Sequence, residues 1–222
     1  WSLAIEEQYY IIWPFFIYLF SKKNLLWIIC LCVLISIFIR SFAGLNNPAY
    51  YVATFTRVDG LLIGGLLALL INDHLRIVNK YSKSIFVLSG FALLLGLCVT
   101  QNLEYSNRFF VTVGYTLLAF FFTATIAISI EEKNNRIKKI LHNRILIFMG
   151  KYSYGIYVFH FPVFWLLRTS VFNIVSDVIA NYHVGKLITS IFCVMVTLLL
   201  SIFSKQFIES PFLKLKTRFA IK

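Results

Sequence analysis

The sequence predicts an all-α polytopic membrane protein, and three observations carry that expectation. Hydrophobic residues make up 59% of its 222 residues, charged residues 14%, and the mean hydropathy is +0.81. Soluble domains carry roughly 25% charged residues, so this chain has too few to cover a globular surface. Second, seven apolar segments recur, about 4–20, 25–42, 55–71, 84–101, 109–130, 153–172 and 186–206, each limited by charge or turn residues. A helix crossing a ~30 Å hydrocarbon core needs about 17–25 such residues. These runs are too long for barrel strands, and in lipid the backbone must satisfy its own polar groups, which favours helices.

The third observation is charge. Sixteen of the 21 basic residues fall in alternate connections: Lys22 and Lys23, then Arg76, Lys80 and Lys83, then six between Lys133 and Lys151, then Lys205 and four beyond it. The other connections hold five, Arg40, Arg57, Arg108, Arg168 and Lys186. The positive-inside bias places the richer set in the cytoplasm, with Trp1 on the outer face and Lys222 inside. The net charge of +12 therefore reports topology, and no nucleic-acid partner is expected. A chain starting outside on a tryptophan, without a signal peptide, is expected to follow earlier spans in a longer protein.

The first segment begins SLAIEEQYYIIWP (2–14). Glu6 and Glu7 point about 100° apart on a helix, while Tyr10 and Trp13 share the Glu6 face. Pro14 removes a backbone donor and permits a kink. The acids can be a wet helix start at the interface, or one of them can face a polar cavity as a base or the orienter of one. Ionisable groups inside a membrane are expensive and tend to face an interior. The 55–71 segment opens with Arg57 and Asp59, two apart and each expected to find a partner elsewhere. Gly60, Gly64 and Ala68 then form a stripe that permits close helix packing.

Residues 131–148 place apolar residues at helical spacing among Lys and Arg, which suits a basic helix lying in the cytoplasmic interface. It serves as an anchor to anionic lipid or as a platform for a phosphorylated cosubstrate. The 153–172 segment holds His160 two residues before Pro162. That histidine is either a hydrogen-bonding post on a bent helix or a proton-transfer group. Residues 213–222 form a basic cytoplasmic tail. Cys30, Cys32, Cys98 and Cys193 lie in apolar runs without metal-ligand spacing, and no metal or disulfide framework is expected. No phosphate loop, GxSxG or HExxH is present, so the residues leave enzyme and transporter open.

Four blocks resemble one family. WSLAIEEQYYIIWP, TRVDGLLIGGLLALL, GKYSYGIYVFHFPVF and FIESPF stand in the order found in the acyltransferase 3 family, the integral-membrane O-acyltransferases typified by O-antigen and exopolysaccharide O-acetylases. The resemblance implies a membrane acyltransferase domain over 1–212, part of a core of about ten spans. The histidine proposed as the family's base and an Arg-x-x-Arg-like motif would lie in spans ahead of Trp1. The implied reaction passes an acyl group, most often acetyl from acetyl-CoA used as cosubstrate, to a hydroxyl of a cell-surface or exported carbohydrate, at a bacterial inner membrane. No bound cofactor is implied. Glu6 is the main candidate, as an orienter of the base or an acid of the acceptor cavity. Glu7, Gln8 and Tyr10 would shape that cavity, and Arg57, Asp59, Ser153 and His160 are further candidates. Trp13, Pro14, Gly60, Gly64, Pro162, Glu209 and Pro211 are read as structural. The alternatives are a glycan-precursor transporter or flippase, or an inactive remnant of an acyltransferase.

Overall fold

The computed structural model describes residues 2–43, 53–101, 107–130, 139–179 and 181–219. All regular elements among them are helices: α1 (Ser2–Leu19), α2 (Lys22–Ala43), a 3-10 turn at Thr54–Thr56, α3 (Val58–Thr100), a π turn at Phe110–Gly114 leading into α4 (Tyr115–Ile130), α5 (Arg144–Val178), α6 (Tyr182–Ser204), a π turn at Lys205–Glu209, and α7 (Ser210–Phe219). The protein is an all-α polytopic membrane protein. Among the described residues five helical runs are long and apolar enough to cross a membrane: Lys22–Phe42, Val58–Thr100, Phe110–Ile130, Arg144–Asp177 and Tyr182–Leu215. Their large apolar side chains are mostly exposed, Trp27 and Trp165 among them, as lipid-facing surface requires.

The chain forms two compact units, residues 1–137 and 138–222. In the first, a core of Ile29, Val33, Leu62 and Ile63 is flanked by Tyr9 and Trp13 of α1 and Ala119 and Phe120 of α4. Tyr9 stacks on Trp13, and Trp13 on Phe16, with centroids 5.2 and 6.5 Å apart. α1 runs through Pro14 without ending.

Where the sequence reading draws spans at 55–71 and 84–101 with a basic connection between them, the backbone stays helical throughout α3 except at His74 (φ −130°, ψ 35°). The bend there is sharp. A straight helix would hold Gly60 and Gly90 about 45 Å apart. Yet a Cβ on Gly60 would lie 4.0 Å from Ala119, and one on Gly90 3.2 Å from the Phe121 ring. α4 therefore packs against both arms, so the bend at His74 replaces a connecting loop. α2 runs antiparallel to the first arm and is tied to it at both ends, by the ion pairs Lys22–Asp73 and Arg40–Asp59. The Lys22 and Asp73 side chains thus share one end of the unit, opposite the end that carries Arg40.

In the second unit α5 and α6 pair. Asn143 caps α5 by accepting from the Ile145 N–H, and Asn181 caps α6 by accepting from His183 and Val184. The extended backbone at Asn143 breaks the expected 131–148 interfacial helix. Its last residues begin α5, and residues 131–138 lie outside the described set. α6 buries Gly185, Thr189, Cys193, Thr197 and Ser201, one small residue every fourth position. Gly155 of α5 seats on this face, where a Cβ would fall 2.9 Å from Ser201 Cα. The stripe's hydroxyls are satisfied within α6: Thr189, Thr197 and Ser201 each donate to the carbonyl four residues earlier, at 2.6–2.9 Å. Glu209 pairs with Lys205 at 2.7 Å across the π turn, and Ser210 Oγ donates to the Lys205 carbonyl. Pro211 has no N–H to continue the ladder, and the helix widens just ahead of it.

Candidate functional site

The first turn of α1 and the start of α3 enclose a cleft of about 230 Å³ lined by Ser2, Ile5, Glu6, Arg57, Gly60 and Leu61. Ile5 is buried and anchors α1, which leaves Glu6, the next residue, half-buried on the cleft wall. The Arg57 guanidinium lies over the Tyr115 ring, 3.6 Å from its centroid, a cation–π seat that fixes the head group. One acid and one base thus share a small cavity at the end of the unit marked by Arg40 and Asp59.

A buried polar clamp supports this end. Arg40 and Asp59 are each 2% exposed and pair at 2.8 Å. Arg40 Nη2 also donates to Thr116 Oγ1 at 2.6 Å, and that hydroxyl donates onward to Asp59 Oδ2 at 2.6 Å. Arg40 Nη1 donates to the Thr56 carbonyl at 3.1 Å, and Ser36 Oγ to the Phe55 carbonyl at 2.7 Å. Three helices and the turn before Arg57 are joined in one network, charge-assisted and shielded from solvent. Thr54 Oγ1 donates to Gln8 Oε1 at 2.6 Å, which ties α1 to the same turn.

The sequence candidates divide accordingly. Glu6, Arg57 and Gly60 come together on the cleft, and Gln8 holds the turn beside it. Asp59 is not on the cleft: its Oδ2 accepts from Arg40 and Thr116. Glu7 and Tyr10 are exposed, Tyr10 at 63%, and neither lines the cleft. Trp13 belongs to the aromatic ladder of the core. Of the expected stripe, Gly60 faces Ala119 of α4, while the close packing expected at Gly64 falls on Gly65 instead. A Cβ there would meet Tyr9 Oη at 2.9 Å and Trp13 at 3.2 Å, whereas nothing lies within 4 Å of one on Gly64. Thr116 and Arg40 were missed as site residues, because the network joins positions 57 and 76 residues apart and no local pattern pairs them.

Ser153 and His160 lie on α5 in the second unit. Ser153 Oγ donates to the Gly150 carbonyl at 2.9 Å. His160 Nδ1 is 2.6 Å from the Tyr157 carbonyl, which can only accept, so Nδ1 is the donor of that bond. α5 runs through Pro162 unbroken.

The acyltransferase domain family matches residues 1–205. The chain belongs to that family. Among curated proteins it is similar to O-acetyltransferase OatA of Staphylococcus aureus, at 29% identity over 96% of this chain and 36% of the relative. It is also similar to a putative O-acetyltransferase of S. aureus strain COL, at 30% identity over the same shares. The chain thus spans about a third of the length of the curated relatives it matches. No solved structure matches it. The family match covers the Glu6 cleft, the Arg40–Asp59–Thr116 clamp and all of the α5–α6 pair.

Proposed function

We propose that this chain supplies the Glu6 cleft of a membrane O-acyltransferase that passes an acyl group, acetyl first among them, from a cytoplasmic CoA thioester to a carbohydrate hydroxyl at the outer face. The observation that carries this reading is Glu6 and Arg57 lining one cleft against a rigid buried clamp, in a chain whose family is that of acyltransferases. The names of the S. aureus relatives support acetyl as the group. The positive-inside bias supports an outer position for the Glu6 end of α1, where an exported glycan would arrive.

In the reaction the acceptor oxygen bonds to the thioester carbonyl carbon, the C–S bond breaks, and CoA leaves as the thiol after taking up a proton. A base must remove the hydroxyl proton. An ionised Glu6 carboxylate offers acceptors only, so it can receive a hydrogen bond from that hydroxyl or from the base that deprotonates it. Arg57, permanently charged, supplies donors for a sugar oxygen. The clamp keeps the turn that carries Arg57 from moving, which is where catalytic precision is lost first.

In the full-length protein, Glu6→Gln is expected to lower transfer of labelled acetyl to membrane glycan by about a hundredfold or more, with protein level unchanged. Wild-type transfer in that variant removes Glu6 from the mechanism.

A further inference from the structure

The α5–α6 pair carries a second cleft, of about 240 Å³, lined by Phe164, Arg168, Thr169 and Phe172 of α5 and by Tyr182, Lys186, Thr189 and Ser190 of α6. The spacing explains the convergence. Phe164, Arg168 and Phe172 are four apart on one helix, and Tyr182, Lys186 and Ser190 four apart on the other, so each set forms one stripe facing the cleft. Two cations therefore confront each other across it, and the lining contains no acid.

The remaining groups are assigned by their hydrogen bonds. Ser190 donates to the Lys186 carbonyl at 2.9 Å, and Thr189 donates to Gly185. The Arg168 guanidinium, the Lys186 ammonium and the hydroxyls of Thr169 and Tyr182 have no hydrogen-bond partner among the described residues, leaving four donor groups around one space. Phe172 sets its ring edge-on to Tyr182, centroids 5.6 Å apart, and closes one wall. The first unit shows how this chain treats an arginine it keeps for structure: Arg40 is given Asp59. Arg168 and Lys186, exposed where Arg40 is buried, have no acid beside them in the cleft lining, so the counter-charge there is left to solvent or a ligand.

We infer that Arg168 and Lys186 form a phosphoryl-binding site at the α5–α6 end. A phosphoryl group offers three or more oxygens to the two cations and the two free hydroxyls, more than a carboxylate has. Its one or two negative charges match the site, and the cavity leaves room for the group that bears it. Two sources present this chemistry at a membrane interface: the headgroup of an anionic phospholipid, and a phosphate carried by a water-soluble or glycan ligand. The site does not depend on the acyl-transfer reading, and it is read out by binding alone.

The test uses the full-length protein in nanodiscs of an uncharged galactolipid. One arm titrates phosphatidylglycerol into the discs and counts protein-bound lipid by native mass spectrometry. The other titrates inorganic pyrophosphate by calorimetry. Saturable binding in the first arm alone assigns a lipid headgroup, and in the second alone a soluble or glycan phosphate. In whichever arm binds, Arg168→Gln combined with Lys186→Gln should weaken affinity at least tenfold, and Lys186→Gln alone at least threefold, so a misfolded double variant leaves the single one to decide. Lys23→Gln, a cation on α2, should stay within twofold of wild type. Saturation in neither arm, a loss under twofold in the Arg168 and Lys186 variants, or an equal loss with Lys23→Gln overturns the site.

Discussion

The two compact units hold apolar helices together by opposite chemistry. Residues 1–137 bury an ion pair, Arg40–Asp59, bridged by Thr116, and surround it with aromatic stacking. In residues 138–222, Tyr152 and Val163 are buried on α5 and α6 buries small residues and hydroxyls, each hydroxyl of the stripe satisfied by its own helix, and among the described residues no charged side chain there is buried. The difference has a physical origin. Lipid supplies no hydrophobic drive between helices, so association rests on close packing or on polar contacts. Close packing suits two long neighbours such as α5 and α6. A point where three helices and a turn meet needs directional bonds, and those bonds fix the Arg57 turn beside Glu6.

The strongest way to break this contrast is to unpair the clamp. Asp59→Asn leaves Arg40 buried without its counter-charge, and stability should fall by about 3–5 kcal/mol. Replacing the pair together, Arg40→Met with Asp59→Leu, should cost less than either single change, because no uncompensated charge remains. Denaturant unfolding in micelles measures Asp59→Asn, Arg40→Met, Asp59→Leu and the double variant. Additive losses would show that the two residues act independently and that the clamp is not a unit.

The second unit should break through volume instead. Gly155→Ala puts a Cβ 2.9 Å from the Ser201 backbone, which cannot swing aside as a side chain tip can. The expected cost is about 1–3 kcal/mol, from overpacking. Gly150→Ala, with nothing within 4 Å of the new Cβ, serves as the control on the same helix. Equal melting temperatures for the two variants would remove Gly155 as the contact that sets the α5–α6 spacing.

Much of this division was legible in the sequence, and the exceptions share a cause. Helix positions, the wealth of apolar surface and the family blocks all depend on composition or on residues near one another. Glu6 could be singled out for the same reason, inside a contiguous block. Asp59 could be recognised as needing a partner, but its partner could not be named: Arg40 is 19 residues away and Thr116 is 57, on different helices. The bend at His74 was hidden because neither Gly nor Pro marks it, and polar residues beside it suit a loop equally well. The α6 stripe escaped because its Thr, Cys and Ser lie within an otherwise apolar run. The glycine stripe on α3 was conspicuous and yet, at Gly64, misplaced by one residue.

That misplacement gives the smallest and sharpest test, since neighbouring positions should respond with opposite sign. Gly64 and Gly65 are adjacent on α3, so helix propensity treats them alike, and either change to alanine should gain about 0.5–1 kcal/mol from backbone entropy alone. Packing separates them. At Gly64 nothing lies within 4 Å of the new methyl group, so the gain is kept. At Gly65 the methyl group meets Tyr9 Oη at 2.9 Å and the Trp13 ring at 3.2 Å, and the aromatic ladder must shift to admit it. Gly65→Ala is expected to unfold about 1 kcal/mol more easily than wild type, and Gly64→Ala less easily. The Tyr9 contact is the movable end of a side chain, whereas the Trp13 ring is wedged between Tyr9 and Phe16, so the penalty rests on Trp13. Trp13→Phe in the Gly65→Ala background should therefore recover part of the loss, and a loss that persists unchanged would show that α1 does not pack against Gly65 through that ring.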